Sequence, residues 1–262
     1  MVVQAEARLR ARLLGHVALQ SEGATLPIAS PRSTLPLLAY LLLHREAPIA
    51  RDFLAFALWP DDDEDGARLK LRNNLYRLTK SLPESPAAWI LADGEHVRWN
   101  PDADIWVDVD DFARAAADPG HLERCVELYG GDLCETLYDE WLVEPRERLR
   151  NLYLASLGEL VSRFRRARDL PQARAFAQRL LAADPFREDV LRRLLAICHE
   201  SGDRAGALRE YQRFAERLNE ELGIDPMPET QALRTAIARG EPVGAEAAAE
   251  PHGAAPANAS AH

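Results

Sequence analysis

The chain has 262 residues, of which 47% are hydrophobic and 28% charged, with a formal net charge of −10. This length suits two soluble globular domains. No apolar run approaches the roughly 20 residues of a membrane helix, and the N-terminus lacks the apolar core of a signal peptide. We therefore expect a cytoplasmic protein without a membrane partner. The spacing of the three cysteines is not that of metal ligands, and the sequence lacks the common enzyme motifs. We therefore expect neither a metal site nor a catalytic function.

The first sixty residues predict short strands followed by two helices. Residues 8–28 contain brief apolar runs broken by glycines, as is typical of small strands and turns. Ser33 or Thr34 can cap a first helix, with Pro36 in its first turn and leucines on its buried face. A second, shorter helix is expected at about residues 51–58.

A third helix, over residues 67–82, has the pattern that carries the functional prediction. One face is a leucine stripe at positions i, i+4, i+7 and i+11, formed by Leu71, Leu75, Leu78 and Leu82. The rest of the surface presents basic, amide and phenol side chains without a carboxylate, namely Lys70, Arg72, Asn73, Asn74, Tyr76, Arg77 and Lys80. These side-chain types pair with base edges and phosphates, which predicts contact with double-stranded DNA. The alternative is the solvated face of an ordinary helix.

Five consecutive acidic residues, Asp61 to Asp65, precede this helix. They would repel phosphate if they lay at a DNA interface. We expect them to form a loop that faces away from the DNA, with their negative charge close to a helix N-terminus. A metal site built from these carboxylates is the alternative, but consecutive acids in a loop are usually a solvated run.

A β-hairpin is predicted after the third helix, because Asp93-Gly94 separates two apolar-rich runs. Three helices followed by a hairpin make a winged helix-turn-helix, with His96 and Arg98 on the wing. Arg45, Arg51 and Arg98 are candidate phosphate clamps that would position this domain on DNA, or they are generic surface charge.

The remainder of the chain is predicted to be helical and to repeat at a spacing of 34 residues. Residues 101–109 read as a connector, helices resume at about residue 110, and residues 241–262 are expected to be a disordered tail. The repeat is carried by matching positions 34 residues apart, namely Leu160 and Leu194, Phe164 and Cys198, Asp169 and Asp203, Ala173 and Ala207, and Leu180 and Phe214. This is the tetratricopeptide (TPR) period, which predicts paired antiparallel helices that bind partners.

An arginine-rich stretch within the repeats has two interpretations. Arg165 and Arg192 fall at repeat positions that usually face the inner groove, so they could bind an anionic effector such as a signalling nucleotide. The alternative is a solvated helix face. No other cofactor is expected.

The order of these parts resembles the SARP-type bacterial transcriptional activators, which join an OmpR-like winged helix to a TPR-like bacterial transcriptional activation domain. The resemblance covers about residues 8–240. It is carried by Leu13-Leu14-Gly15, Leu58-Trp59, Ala67-Arg68 with Arg77-Leu78, Tyr129-x-Gly131-Asp132-Leu133, Tyr138-x-x-Trp141, Glu144-Pro145, and Glu221-Leu222-Gly223-Ile224-Asp225-Pro226.

The resemblance implies a mainly α-helical protein with two folded domains. These are a winged-helix DNA-binding domain at 8–100 and a TPR-like activation domain at 110–240, joined by a connector at 101–109. The implied function is sequence-specific binding of promoter DNA, most simply as an activator that binds direct repeats near the −35 element as a homodimer and contacts RNA polymerase. The receiver, ATPase and forkhead-associated modules of some members are not expected. The alternative is a TPR-type protein–protein scaffold with a winged helix that does not bind DNA, which the negative net charge favours.

Overall fold

The computed structural model describes residues 9–243 of the chain. These residues form two compact units, one that ends at Tyr153 and another that begins at Leu154. The tail predicted at 241–262 lies almost entirely outside the described residues.

The first unit begins with a four-stranded sheet. Its strands are β1 (Leu9–Arg12), β2 (Ala18–Ser21), β3 (Ala24–Thr25) and β7 (Ile105–Val107), in the order β3-β2-β1-β7. Arg10 lies opposite Gln20 in the antiparallel β2 and opposite Trp106 in the parallel β7. Residues 105–107, expected to be part of a connector, are therefore an edge strand of this sheet.

Three helices and a wing follow, as predicted. The helices are α1 (Pro31–Leu43), α2 (Arg51–Leu58) and α3 (Glu64–Ser81). The wing is the hairpin of β5 (Ile90–Ala92) and β6 (His96–Trp99), and the short strand β4 (Ile49–Ala50) extends it in the order β4-β6-β5. This arrangement confirms the winged helix-turn-helix.

Two helices begin earlier than predicted. Helix α1 starts at Pro31 after Ser30, so neither Ser33 nor Thr34 is its cap and Pro36 lies inside the helix. Pro31 fits the first helical position because its fixed φ suits a helix and it lacks an N–H that would be unpaired there. Helix α3 starts at Glu64 because the Asp63 carboxylate accepts a hydrogen bond from the Gly66 N–H, at 2.9 Å.

The segment after the wing packs within the same unit. It contains α4 (Asp108–Ala117), α5 (Leu122–Leu128) and the first part of α6 (Val143–Arg166). The buried Asp108 carboxylate accepts hydrogen bonds from the backbone N–H groups of Leu13, at 2.8 Å, and Leu14, at 3.0 Å. Burial raises the pKa of Asp108, although these hydrogen bonds oppose the shift. The connector predicted at 101–109 therefore does not end the first unit, which continues to Tyr153.

The second unit is entirely helical in its described part. It contains the end of α6, α7 (Leu170–Ala183), α8 (Glu188–Glu200), α9 (Arg204–Leu222) and α10 (Pro228–Arg239). The 34-residue spacing appears in the caps, because Asp169 begins α7 and Asp203 begins α9, and each carboxylate accepts a hydrogen bond from the N–H three residues later. Ala173 and Ala207 each lie four residues after the capping aspartate, and their exposed fractions are 0% and 1%. The small residues therefore lie where helices pack closely.

Candidate nucleic-acid interface

Helix α3 presents two different faces. All four leucines of the predicted stripe, Leu71, Leu75, Leu78 and Leu82, are buried, the last at the C-cap. Each fully buried leucine stabilises the fold by roughly 1.5–3 kcal/mol, which fixes the rotation of α3. The outward face therefore exposes Arg72, Asn73, Tyr76, Arg77 and Lys80.

The part of α3 from Arg72 onward carries positive charge that no ion pair compensates. Within residues 9–243, the structure gives no ion pair to Arg72, Arg77 or Lys80. Tyr76 is 66% exposed, and the Lys80 ammonium lies 5.9 Å from the centre of its ring. Free guanidinium and ammonium groups beside an exposed aromatic ring suit a polyanionic partner.

Asn74 is not part of this surface, which corrects the sequence prediction. Its side chain is only 3% exposed; the Oδ1 accepts a hydrogen bond from the Ser33 hydroxyl at 2.8 Å, and the Nδ2 donates to the Lys70 carbonyl at 2.9 Å. The residue follows Leu71 by three positions and so shares the buried side of the helix. Asn74 joins α3 to α1 and is unavailable to DNA.

The N-terminal part of α3 is electrostatically neutralised. The Lys70 ammonium lies 2.5 Å from the Asp62 carboxylate. Arg68 donates two hydrogen bonds to Asp52 of α2, at 2.7 and 2.8 Å, and forms an ion pair with Glu64. The hydrogen bond from Arg68 lowers the pKa of Asp52, so this carboxylate stays ionised. Lys70, predicted to contact DNA, is therefore already paired in this structure.

The wing lies close to α2 and α3. The Asp93 carboxylate accepts hydrogen bonds from the N–H groups of Glu95 and His96, which holds the turn. Arg51 donates to the Asp93 carbonyl at 3.2 Å, and Arg51, Arg72 and Gly94 line one surface concavity of about 350 Å³. His96 is exposed and Arg98 is half-buried. Two sequence-predicted candidates, Arg51 and Arg72, are thus brought together beside the wing turn.

Arg45 is placed differently from the prediction. It donates to the Leu42 carbonyl at 2.7 Å and forms an ion pair with Asp110 of α4. A DNA phosphate would have to displace Asp110, so the structure assigns Arg45 to packing within the first unit. No local sequence pattern predicts this pairing, because the two residues are 65 positions apart.

The two candidate effector residues each have a protein partner in the second unit. Arg165 donates to the Glu200 carboxylate, with the Nε at 3.0 Å, and Arg192 donates to the buried Thr230 hydroxyl at 3.0 Å. An anion that bound Arg165 would compete with Glu200. Both side chains are half-buried and hydrogen-bonded within the second unit, and the effector site stays a prediction.

Metal-ligand and membrane features were also sought in the described part of the chain. Residues 9–243 contain no group of three or more histidine, cysteine or acidic side chains arranged to hold a metal ion. None of their helices combines the length and the apolar character needed to cross a bilayer.

A winged helix with an exposed basic α3, followed by helical hairpins, is the architecture of a DNA-binding transcription regulator. Residues 107–238 match the model of the family described as "Bacterial transcriptional activator domain". Because this match spans half of the sequence, the chain belongs to that family.

Named relatives agree with this class. The chain is 25% identical to the transcriptional regulatory protein EmbR of Mycobacterium tuberculosis, over 94% of this chain and 67% of EmbR. It is 30% identical to the regulatory protein AfsR of Streptomyces coelicolor, over 92% of this chain but only 25% of AfsR. A solved structure of M. tuberculosis EmbR in complex with a low-affinity phosphopeptide matches with a TM-score of 0.64 and 26% identity, covering 93% of this chain and 69% of that one.

Proposed function

We propose that this protein activates transcription by binding promoter DNA with α3 in the major groove and the wing on the flanking backbone. The proposal rests on the exposed part of α3 from Arg72 to Lys80, where three basic side chains have no ion pair among the described residues. A helix of this kind fits the major groove, which is about 12 Å wide.

Each exposed side chain receives a role from its chemistry. Asn73 and Arg77 are four positions apart on one face; an asparagine pairs with both acceptor and donor of an adenine edge, and an arginine with two acceptors of a guanine edge. Arg72, Tyr76 and Lys80 flank this row and suit phosphate contacts. On the other side of the concavity, Arg51 and the wing residues His96 and Arg98 would fix the position of the domain on the backbone.

The helical second unit would supply the activating contacts. Membership of the activator-domain family supports a role in contacts with RNA polymerase or with a second copy of the chain on DNA. Two copies on adjacent direct repeats near the −35 element would place their helical units beside the polymerase. A nucleotide effector at Arg165 and Arg192 is a separate hypothesis, and it requires Glu200 to release Arg165.

Selection of binding sites from a library of random DNA duplexes tests the proposal. The wild-type protein should enrich one sequence, present as two direct repeats in the tightest binders. The Arg77→Ala variant should lose the preference at a single base position of each repeat, because one side chain reads one base pair. A transcription assay with polymerase on a promoter carrying the selected site should show activation. Failure to enrich any sequence would contradict the proposal and leave the scaffold function.

Salt dependence separates backbone contacts from base contacts. If Arg51 and Arg98 contact phosphates, each alanine variant should reduce the slope of log affinity against log salt concentration by about 0.9. Both variants should weaken selected and random DNA to a similar extent. Unchanged slopes would return these arginines to ordinary surface charge.

A further inference from the structure

Two basic side chains in the N-terminal part of α3 form ion pairs with nearby carboxylates. Asp62, in the loop before α3, lies 2.5 Å from the Lys70 ammonium. Asp52, on α2, accepts two hydrogen bonds from the Arg68 guanidinium, and Glu64 lies 2.6 Å from the same group. The acidic run at 61–65 was expected to face away as a loop, but Asp62 pairs with Lys70 of α3, and Glu64, the first residue of α3, pairs with Arg68.

The paired cations lie on the same helix rows as the proposed contacts. Lys70, Asn73 and Arg77 follow one another at i, i+3 and i+7, so they share one face of α3. Arg68 precedes Arg72 by one turn, and both line the concavity beside the wing turn. Without these ion pairs, Lys70 and Arg68 would extend the positive surface of α3 by about one turn toward its N-terminus.

We propose that Asp62 and Asp52 act as specificity-determining residues that suppress non-specific DNA binding by holding Lys70 and Arg68 in ion pairs. This inference rests on the proposed function of α3. Non-specific binding is driven by neutralising phosphates and releasing counterions, and a cation that is already paired with a carboxylate releases none. Base contacts from Asn73 and Arg77 are unaffected by these pairs. Keeping two cations in ion pairs therefore lowers the affinity for random DNA, while the base contacts that discriminate between sites remain.

A matched pair of substitutions tests this inference. Asp62→Asn frees Lys70, whereas Asp61→Asn removes the same charge from an exposed neighbour for which the structure gives no ion pair within residues 9–243. Binding of both variants to a random-sequence duplex would be measured between 50 and 200 mM KCl. Asp62→Asn should steepen the slope of log affinity against log salt by about 0.9, and Asp61→Asn should leave it unchanged. Equal slopes in the two variants would overturn the inference.

The double variant Asp62→Asn/Lys70→Ala identifies the released cation. It should return to the wild-type slope, because the side chain that Asp62 restrains is then missing. If the double variant keeps the steeper slope, the effect comes from the lost repulsion of Asp62 and the inference is wrong. Thermal unfolding of each variant confirms that the folded protein is being compared.

Binding of Arg77→Ala to the selected duplex, measured beside Asp62→Asn on random DNA, separates this inference from the proposed function. If Arg77→Ala weakens binding and Asp62→Asn changes nothing, α3 binds DNA and only the role of Asp62 is wrong. If Arg77→Ala and Asp62→Asn both bind as wild type does, α3 is not the DNA-binding element and both proposals fail.

Discussion

Arg168 and Gly202 are 34 residues apart and adopt the same left-handed backbone conformation, with φ angles of 61° and 76°. Each residue directly precedes a capping aspartate, and the backbone N–H of that aspartate donates to the carbonyl five residues earlier, at 2.9 Å in both cases. The connections α6–α7 and α8–α9 therefore have the same local backbone conformation, with arginine at the left-handed position in the first and glycine in the second.

We expect Arg168→Gly to stabilise the protein by roughly 1 kcal/mol, because a left-handed conformation costs a residue with a Cβ about 1–2 kcal/mol and glycine much less. The reverse change, Gly202→Ala, should destabilise by a similar amount. Urea unfolding of the three proteins measures both effects. A destabilised Arg168→Gly protein would mean that the contact of Arg168 with Glu200, at 3.8 Å, outweighs the backbone strain.

The repeat register predicts strict size limits at Ala207. This residue is 1% exposed, so Ala207→Leu should overpack the helix crossing and destabilise the protein by about 1–3 kcal/mol. Ala205, two positions earlier, is exposed. Ala205→Leu is the control and should leave the unfolding midpoint nearly unchanged. Identical denaturation curves for the two variants would show that the small residues do not mark the crossing.

Asp203 makes the stability of the second unit depend on pH. Its pKa is lowered, first by the hydrogen bond from the Gly206 N–H and next by that from Arg174, which lies 2.7 Å away. A carboxyl whose folded pKa lies below its unfolded value of about 3.9 stabilises the protein above that value, and the stabilisation is lost as the pH falls through the folded pKa.

The test compares wild type with Asp203→Asn, a neutral side chain that still caps a helix. The difference in melting temperature should be present at pH 6 and shrink as the pH falls below about 4. In an Arg174→Ala background this pH dependence should be weaker, since one of its causes is missing. A difference that stays constant from pH 6 to pH 2 would rule out the ionised carboxylate as the source.

Asn74 is predicted to affect stability and not DNA recognition. Asn74→Ala removes the acceptor of the Ser33 hydroxyl and the donor to the Lys70 carbonyl, and each hydrogen bond that is lost costs about 0.5–1.5 kcal/mol. Asn73→Ala, one position earlier on the exposed face, is the control and should leave the free energy of unfolding within about 0.5 kcal/mol of wild type. Urea titrations of the two variants give this comparison directly. Equal stability would place Asn74 on the surface after all.

Local patterns predicted much of this fold. The leucine spacing in α3, the Asp93-Gly94 turn and the 34-residue repeat each depend on neighbours along the chain, and the structure has the corresponding helix, hairpin and helix pairs. The sequence predicts a start of α1 that is too late, because Ser33 and Thr34 are both good capping residues. The helix begins earlier because Pro31 suits the first helical position.

The errors at the candidate site come from tertiary partners that are distant in sequence. Asn74 is buried by Ser33, 41 residues away, and Arg45 pairs with Asp110. Periodicity places a side chain on one face of a helix, but it does not reveal which element packs against the shoulder of that face. The ion pair of Lys70 with Asp62 escapes prediction for a related reason, since it depends on how the loop that bears Asp62 folds back along α3.

The affinity of Arg77→Ala for a selected duplex shows whether the exposed face of α3 reads DNA. The control is Arg148→Ala, which removes the same charge from an exposed position on α6. We predict that Arg77→Ala loses about 1–3 kcal/mol of binding free energy on the selected site and much less on random DNA. Arg148→Ala should bind both as wild type does. If Arg77→Ala and Arg148→Ala both retain wild-type affinity for the selected site, α3 does not read DNA.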